Sequence, residues 1–368
     1  MSVKRIIGAL VAGMLGISAV SPALARDFYG LLRSRDLTPF GFLRLDMRPA
    51  HAVNIETGSW ALEAEGGYQN TWALSPNVEQ YLTSLEPGGR RKLGPAEVAA
   101  IQALPGENYL VDMELATLDI ALHYKFSSHL SGYVIASAVS YQGGFLDSTI
   151  EGFHDTFGFS TFGRPAVTRN DVNFIYDLKS AQFVSLRAPT NSGVLDPTFG
   201  LRYTGLQFSE KWLLSLEAAV KVPVDGRRTL LSTGRTDVGV QAALQRRVAR
   251  HAWYLDLAAV WFDGGSVPVP QDSQIVPTFV FGYEYALTEH TNVNLQGYVS
   301  RSVYSHDQTD LDELLGEKYQ LSLGVRHRMG PYLLSFGATE NLQNINNTPD
   351  IGFQLGLAYI PHPVSSAR

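Results

Sequence analysis

Apolar and polar residues alternate with a period of two through much of the chain, most clearly after residue 198. Phe199, Leu201 and Tyr203 share one parity, opposed by Gly200, Arg202 and Thr204. Trp212, Leu214, Leu216, Ala218 and Val220 repeat the pattern against Ser215, Glu217 and Lys221. Trp253, Leu255, Leu257, Ala259 and Trp261 oppose Asp256, and Phe279, Phe281, Tyr283 and Tyr285 oppose Gly282 and Glu284. Tyr319, Leu321, Leu323 and Val325 face away from Gly324 and Arg326, and Ile351 to Tyr359 closes the series. Successive side chains of a strand point to opposite faces, so each segment predicts a strand with one apolar and one polar face. About ten residues is the length a tilted strand needs to cross a bilayer.

The connections alternate in length. Tight turns are expected near 127–129, 209–211, 248–250, 288–290 and 329–331, and long polar loops near 143–196, 223–235, 263–275, 304–317 and 341–350. Short turns on one rim and long loops on the other are the signature of a bacterial membrane barrel. About thirteen segments read as strands, beginning near 42–48 and 60–69, whereas single-chain bacterial barrels normally have an even number. A further strand in 27–37, an early segment lying inside the barrel, or a hairpin in 170–187 would reconcile the count. The predicted fold is all-β: a transmembrane antiparallel β-barrel of twelve to fourteen strands, twelve preferred, with short helices in its outer loops.

Aromatic placement agrees. Phe126, Tyr133, Trp212, Trp253, Tyr285, Tyr332 and Tyr359 are read as apolar-parity residues close to a turn or to the last strand's end. Tyr141 and Trp261 are placed on that parity at the opposite rim. Two aromatic girdles mark the interfaces of a membrane barrel. At the amino terminus, Lys4 and Arg5 precede an apolar stretch from Ile6 to Val20 and the Ala23-Leu24-Ala25 triplet, which reads as a signal peptide over 1–25. Residues 26–360 are then the barrel, and 361–368 a disordered tail. The absence of cysteine excludes disulfide scaffolds, thiol nucleophiles and thiolate metal sites. A net charge of −6 without a basic block argues against nucleic acid as a partner.

The polar parity carries Arg44, Asp46, Arg48, Glu63, Glu65, Asp119, His123, Arg202, Glu217, Lys221, Asp256, Glu284 and Arg326. A lipid-facing Arg or Lys near the midplane costs roughly 2–4 kcal/mol, so these residues are expected inside the barrel. Arg44, Glu63, Asp119, Arg202, Glu217, Asp256, Glu284 and Arg326 are the candidate lumen lining. Charges of both signs can line a water-filled channel or pair across a packed or partly plugged interior, and the second arrangement is preferred.

Residues 71–108 form an insertion in which Pro95 opens a short helix near 95–104, ended by Pro105-Gly106. A second helix is expected near 145–157. Leu146, Ile150, Phe153 and Phe157 lie on one of its faces, and Asp147, Glu151 and His154 on the adjacent one. Two carboxylates and an imidazole one turn apart can bind a metal or share a proton, and they are the candidate loop gate. The plainer expectation is a helix docked on the barrel through its phenylalanines, with a solvated polar side. His129-Leu130-Ser131 is the His-x-Ser triplet present, but it falls in a turn on the short-turn rim. No G-x-S-x-G or H-E-x-x-H motif occurs, so no catalytic residue, metal or cofactor is assigned.

Ile150-Glu151-Gly152-Phe153-His154-Asp155, with Phe157-Gly158 and Gly163-Arg164, resembles a proteobacterial family of secreted proteins of unknown function. Phe28-Tyr29-Gly30-Leu31-Leu32 with Arg33 and Pro39, and Leu195-Asp196-Pro197-Thr198-Phe199-Gly200-Leu201-Arg202-Tyr203, are similar to it too. The resemblance implies an outer-membrane β-barrel and no activity. One departure is the end of the chain, where Tyr359-Ile360 is followed by Pro361 and Pro363 rather than closing on an aromatic residue. Insertion by the barrel-assembly machinery would then use an internal signal strand.

The function expected from the sequence is a passive, porin-like channel or transport-type protein of the Gram-negative outer membrane. Its partners would be outer-membrane lipid and a small hydrophilic solute of unknown identity. The other readings are an outer-membrane enzyme acting on lipid or glycolipid through His154, and a closed structural barrel that docks a partner.

Overall fold

In the computed structural model the described residues are 27–36, 41, 43–50, 55–179, 184–186, 192–209, 211–224, 227–228, 230–266, 270–343 and 350–361. The signal peptide expected over 1–25 and all but the first residue of the tail expected over 361–368 lie outside them. Twelve antiparallel strands close into a barrel. They are β1 (Trp60–Leu74), β2 (Asn108–Lys125), β3 (Leu130–Gln142), β4 (Thr198–Ser209), β5 (Trp212–Lys221) and β6 (Asp237–Val248), followed by β7 (His251–Phe262), β8 (Gln274–Ala286), β9 (Thr291–Ser300), β10 (Lys318–Met329), β11 (Tyr332–Gln343) and β12 (Ile351–Tyr359). β1 closes the ring on β12, from Leu62 opposite Tyr359 to Asn70 opposite Ile351. The weakest seam joins β3 to β4, paired only from Leu130–Tyr203 to Ile135–Thr198. Above it β3 pairs instead with Ser192–Val194, and Pro197, which has no amide hydrogen to give, stands at the break.

The outward positions are apolar: Leu118, Ile120 and Leu122 of β2, Leu355 and Leu357 of β12, and Phe279 and Phe281 of β8 are exposed. At the short-turn rim the aromatic girdle packs ring on ring, with Trp60 at 4.5 Å from Tyr124 and Tyr332 at 5.3 Å from Tyr359. Arg246 lies over the rings of Trp212 and Trp253 at the same rim. Among the described residues no helix is long and apolar enough to cross a membrane.

Two girdle assignments are corrected. Tyr133 and Tyr141 point inward: the Tyr133 hydroxyl donates to Glu217 at 2.6 Å, and Tyr141 donates to the Leu230 carbonyl at 2.6 Å. β3 is apolar on both faces here, Tyr133 and Ile135 against Val134 and Ala136, so its alternation carries no signal for the inside. The apolar inner face is required because Tyr133 and Ile135 pack on Leu45 and Met47 of the amino-terminal segment.

β1 and β2 continue beyond the long-loop rim and bury both faces. Their outer ends, with the short strand Asn173–Asp177 on β2, form a cap sheet. Its inner face, including Tyr109, Val111, Met113 and Phe174, packs over the barrel mouth on Leu230, Phe262, Val303, Tyr304 and Leu314. Its outer face, with Trp72, Leu74 and Leu110, is covered by α1 (Pro76–Leu85) and α2 (Pro95–Gln102). Helix α1, whose Val78 and Leu82 bury one turn apart, was not expected from the sequence. A third helix, α3 (Asp147–Phe157), follows β3 and ends at Gly158, whose φ of 71° places it in the left-handed region that glycine adopts without strain.

Candidate functional site

Residues 43–50, read from sequence as a strand near 42–48, are not part of the wall. The described parts of 27–50 run inside the lumen as two non-strand limbs. The first begins at the short-turn rim, where the Tyr29 hydroxyl donates to the carbonyl of Glu289. It reaches the mouth at Gly41, beside Lys318 and Val303. Leu43 packs on the mouth core. The second limb returns past Ala50 to Ile55, which is buried with Tyr29, Leu333 and Ile360 at the starting rim. Both ends of this internal plug therefore lie on one side.

An irregular backbone inside a barrel must find partners for its amides and carbonyls. Side chains of the wall supply them. Glu284 accepts from the amides of Tyr29 at 2.8 Å and Gly30 at 3.1 Å. Asn294 donates to the Gly30 carbonyl at 2.8 Å, and Gln296 accepts the Leu32 amide at 2.9 Å. Arg326 donates to the carbonyls of Tyr29 and Leu31. On the returning limb, Asp237 accepts from the Leu45 amide at 2.8 Å and Asp256 from the Ala50 amide at 2.9 Å. Lys221 donates to the Leu43 carbonyl at 2.7 Å. The limbs are tied to each other by Arg33 to the Pro49 carbonyl at 3.0 Å and by the Arg44–Asp36 pair at 3.2 Å.

The plug's cations meet the wall's carboxylates. Arg33 pairs with Glu63 at 3.5 Å, and Arg48 and Arg35 pair with Asp119 at 2.9 and 3.2 Å. Its leucines and methionine sit in slots cut by inward glycines. A Cβ at Gly282 would stand 2.2 Å from Leu31, one at Gly324 2.7 Å from Leu32, and one at Gly239 2.6 Å from Met47. Among the described residues, cavities of about 40 and 30 Å³ lie beside the plug, one lined by Arg33 and Ser34 of the first limb and one by Arg44, Asp46 and Arg48 of the second. Each has room for very few water molecules.

All eight candidate lumen residues are buried inside the barrel, in three groups. Glu63, Asp119, Asp256, Glu284 and Arg326 belong to the wall and touch the plug. Arg202 and Glu217 pair with each other across β4 and β5 at 2.6 Å, beneath the Tyr133 ring. Arg44 belongs to the plug itself, bound to Asp36, Asp46 and the Tyr298 hydroxyl. Asp237, Asn294 and Gln296 are wall residues on the plug that were not expected from the sequence. Asp237 opens its strand, and the two amides lack the charge by which lumen residues were recognised.

The three loop residues lie outside the lumen, on the outer flank of the cap. Asp147 accepts from Arg164 at 2.8 Å and from the Asn170 amide at 2.7 Å, and Asn70 donates to it at 3.2 Å. Glu151 is gripped by Arg90 at 2.6 Å and by Arg169 through Nε at 2.8 Å. Burial pushes the Glu151 carboxyl up, but the hydrogen bonds from Arg169 and Arg90 outweigh it and hold it below the usual range. Burial also pushes the neighbouring Asp350 carboxyl up, with Arg164 offsetting part of the rise. His154 is half-buried, its Nδ1 2.7 Å from the Ser160 carbonyl. The expected docking of α3 is reversed: its polar side is clamped, whereas Phe153 and Phe157 are exposed. Arginines from two loop segments outside the helix's own sequence window are what turned it. Among the described residues no cluster of His, Asp and Glu can hold a metal. His129 meets the Thr204 carbonyl at 3.3 Å and Ser131 the Arg202 carbonyl at 3.5 Å, each facing main chain rather than the other.

An apolar outer wall, a charged inner wall and an internal plug define a transmembrane β-barrel with an occupied lumen. The chain belongs to a family of proteins of unknown function, DUF3187, which it matches over residues 74–360. No curated protein matches it. Among solved structures it resembles the COG4313 outer membrane channel from Pseudomonas putida F1, with a TM-score of 0.50 and 11% identity over 84% of this chain and 97% of that one. It also aligns with the toluene transporter TodX from Pseudomonas putida (TM-score 0.40, 10% identity, 92% and 98% covered). The translocator domain of the autotransporter NalP from Neisseria meningitidis aligns at a TM-score of 0.36 and 8% identity, with 83% and 88% covered. The likeness to the COG4313 channel is one of fold, that of an outer-membrane β-barrel.

Proposed function

We propose that this protein is a gated channel of the bacterial outer membrane that passes small hydrophilic solutes when its plug leaves the lumen. The observation that carries the reading is the way the plug is held. Its described backbone bonds to wall side chains rather than joining the sheet, and both its ends lie at the short-turn rim. Such a segment can withdraw toward that rim without unpairing a wall strand. Withdrawal also takes Leu43 from the mouth core and Asp36 from Lys318, which loosens the second closure, the cap. What remains inside is a wall of carboxylates, amides and cations suited to water and polar solutes. The short turns would face the periplasm, and β12, ending at Tyr359, would be the strand read by the barrel-assembly machinery.

Liposome swelling with small sugars tests this reading. Residues 26–368 should swell vesicles slowly, and the Arg326→Ala/Glu284→Ala variant faster, with heat-modifiable gel migration confirming both barrels. Two folded barrels equally impermeable to sugars and ions would instead support the closed structural barrel, which the mouth core and small cavities favour.

A further inference from the structure

Helix α3 is amphipathic, yet only half of its apolar side is covered. Leu146 and Ile150 are buried, whereas Phe153 is 53% and Phe157 63% exposed. Gly158 then turns the chain so that Phe159, itself 50% exposed, joins them. The three rings form one cluster, with centroids 4.6 Å apart for Phe153–Phe157 and 5.9 Å for Phe153–Phe159. A contiguous exposed aromatic knob marks an interaction site.

The position of the helix identifies its occupant. Immediately before it, Phe145 stacks on Tyr68 at 5.3 Å. Tyr68 is on the outward parity of β1, opposite Phe353 of β12, in line with the exposed Leu355 and Leu62. It stands about 26 Å along the strand from Trp60, or about 20 Å along the axis at a tilt of about 40°. That is near the upper edge of an apolar band about 25 Å tall. The helix then starts from this edge. Asp147 at its start is bonded to Asn70 of β1, which lies opposite Ile351 of β12 and whose carbonyl accepts the Asp350 amide. The start of the helix is thus held above β1 and β12. Around the helix, Phe153 and Phe157 lie about 200° and 240° from Glu151. Glu151 is clamped to Arg90 and Arg169 of the loop layer, so the phenylalanines face the opposite way.

We propose that α3 is an interfacial membrane helix, and that Phe153, Phe157 and Phe159 insert into the outer-leaflet lipid surface beside β1 and β12. The apolar knob continues the lipid-facing wall outward, and Arg169, 45% exposed, stands at headgroup level to meet lipid phosphates. The inference rests on the transmembrane reading of the wall and not on conduction.

The cysteine-free chain allows a direct test. Single-cysteine variants Phe157→Cys, Leu355→Cys and Lys92→Cys of residues 26–368 are spin-labelled in phosphatidylcholine nanodiscs. Their accessibilities to oxygen and to a water-soluble nickel chelate are then compared. The expected result is that the label at 157 resembles the wall label at 355, favouring oxygen, while the label at 92 favours the chelate. A label at 157 that follows the one at 92 while 355 remains lipid-exposed would overturn the proposal alone. Chelate access at 355 as well would overturn the membrane placement of the wall and the proposal with it.

Discussion

The guanidinium of Arg326 in the barrel wall donates a 3.0 Å hydrogen bond to the main-chain carbonyl of Leu31 in the plug. The same side chain reaches the Tyr29 carbonyl and is braced by the Ser335 hydroxyl at 3.0 Å. One buried cation thereby replaces the donors that a neighbouring strand would have offered the first limb. Hydrogen bonds to charged groups are worth about 1.5–3 kcal/mol each. Arg326→Ala should therefore raise the open population of residues 27–34 by a factor of about 10–100. Hydrogen exchange of those amides, compared with those of β10, reads the change.

Gly282 gives the Leu31 side chain its seat, since a Cβ there would stand 2.2 Å from Leu31 Cδ2. Gly282→Val should weaken the plug's seat by about 1–3 kcal/mol through overpacking. The barrel itself should remain, because strands accept valine readily. Limited proteolysis from the short-turn side should cut the first limb of this variant faster than that of the parent chain, with gel migration of the barrel unchanged.

Glu151 makes the clamp on α3 sensitive to acid. Its folded carboxyl is held below the usual range by Arg169 and Arg90 against the effect of burial. A lowered folded pKa means that the clamp is complete above the ordinary glutamate value of about 4.3 and is lost as pH falls through the lower, folded one. A spin label at position 157 in detergent should become more mobile over that fall. In Glu151→Gln it should be mobile at neutral pH, with little further change on acidification.

Removing the plug takes away Arg33, Arg35 and Arg48 and leaves Glu63, Glu65 and Asp119 on β1 and β2 without those cations. An unplugged pore should prefer cations, read as the sign of the reversal potential in a potassium chloride gradient. Glu63→Lys with Asp119→Lys should shift that potential toward anions. Selectivity unchanged by the reversal would remove these residues from the permeation path.

The wall was legible because each of its later strands alternates, and Arg326 or Glu284 on one parity reveals which face is inside. β3 was not legible where plug residues Leu45 and Met47 make its inner face apolar. The plug itself imitates a strand: Arg44, Asp46 and Arg48 alternate with Leu45 and Met47, and nothing local says that both faces meet protein. The available signal was on the wall, in Gly239, Gly282, Gly324 and Gly337, which leave the inward parity without a side chain at four places. α3 was legible as a helix but not in orientation, because Arg90, Arg164 and Arg169 that hold it come from distant turns.

Single-channel conductance in planar bilayers, for residues 26–368 and for the same chain lacking 27–50, tests the central claim most directly. Heat-modifiable migration first shows that both barrels have folded. The account predicts that the intact chain is closed for most of the record and that the deletion gives sustained, cation-preferring steps. A folded deletion variant as silent as the intact chain would contradict it.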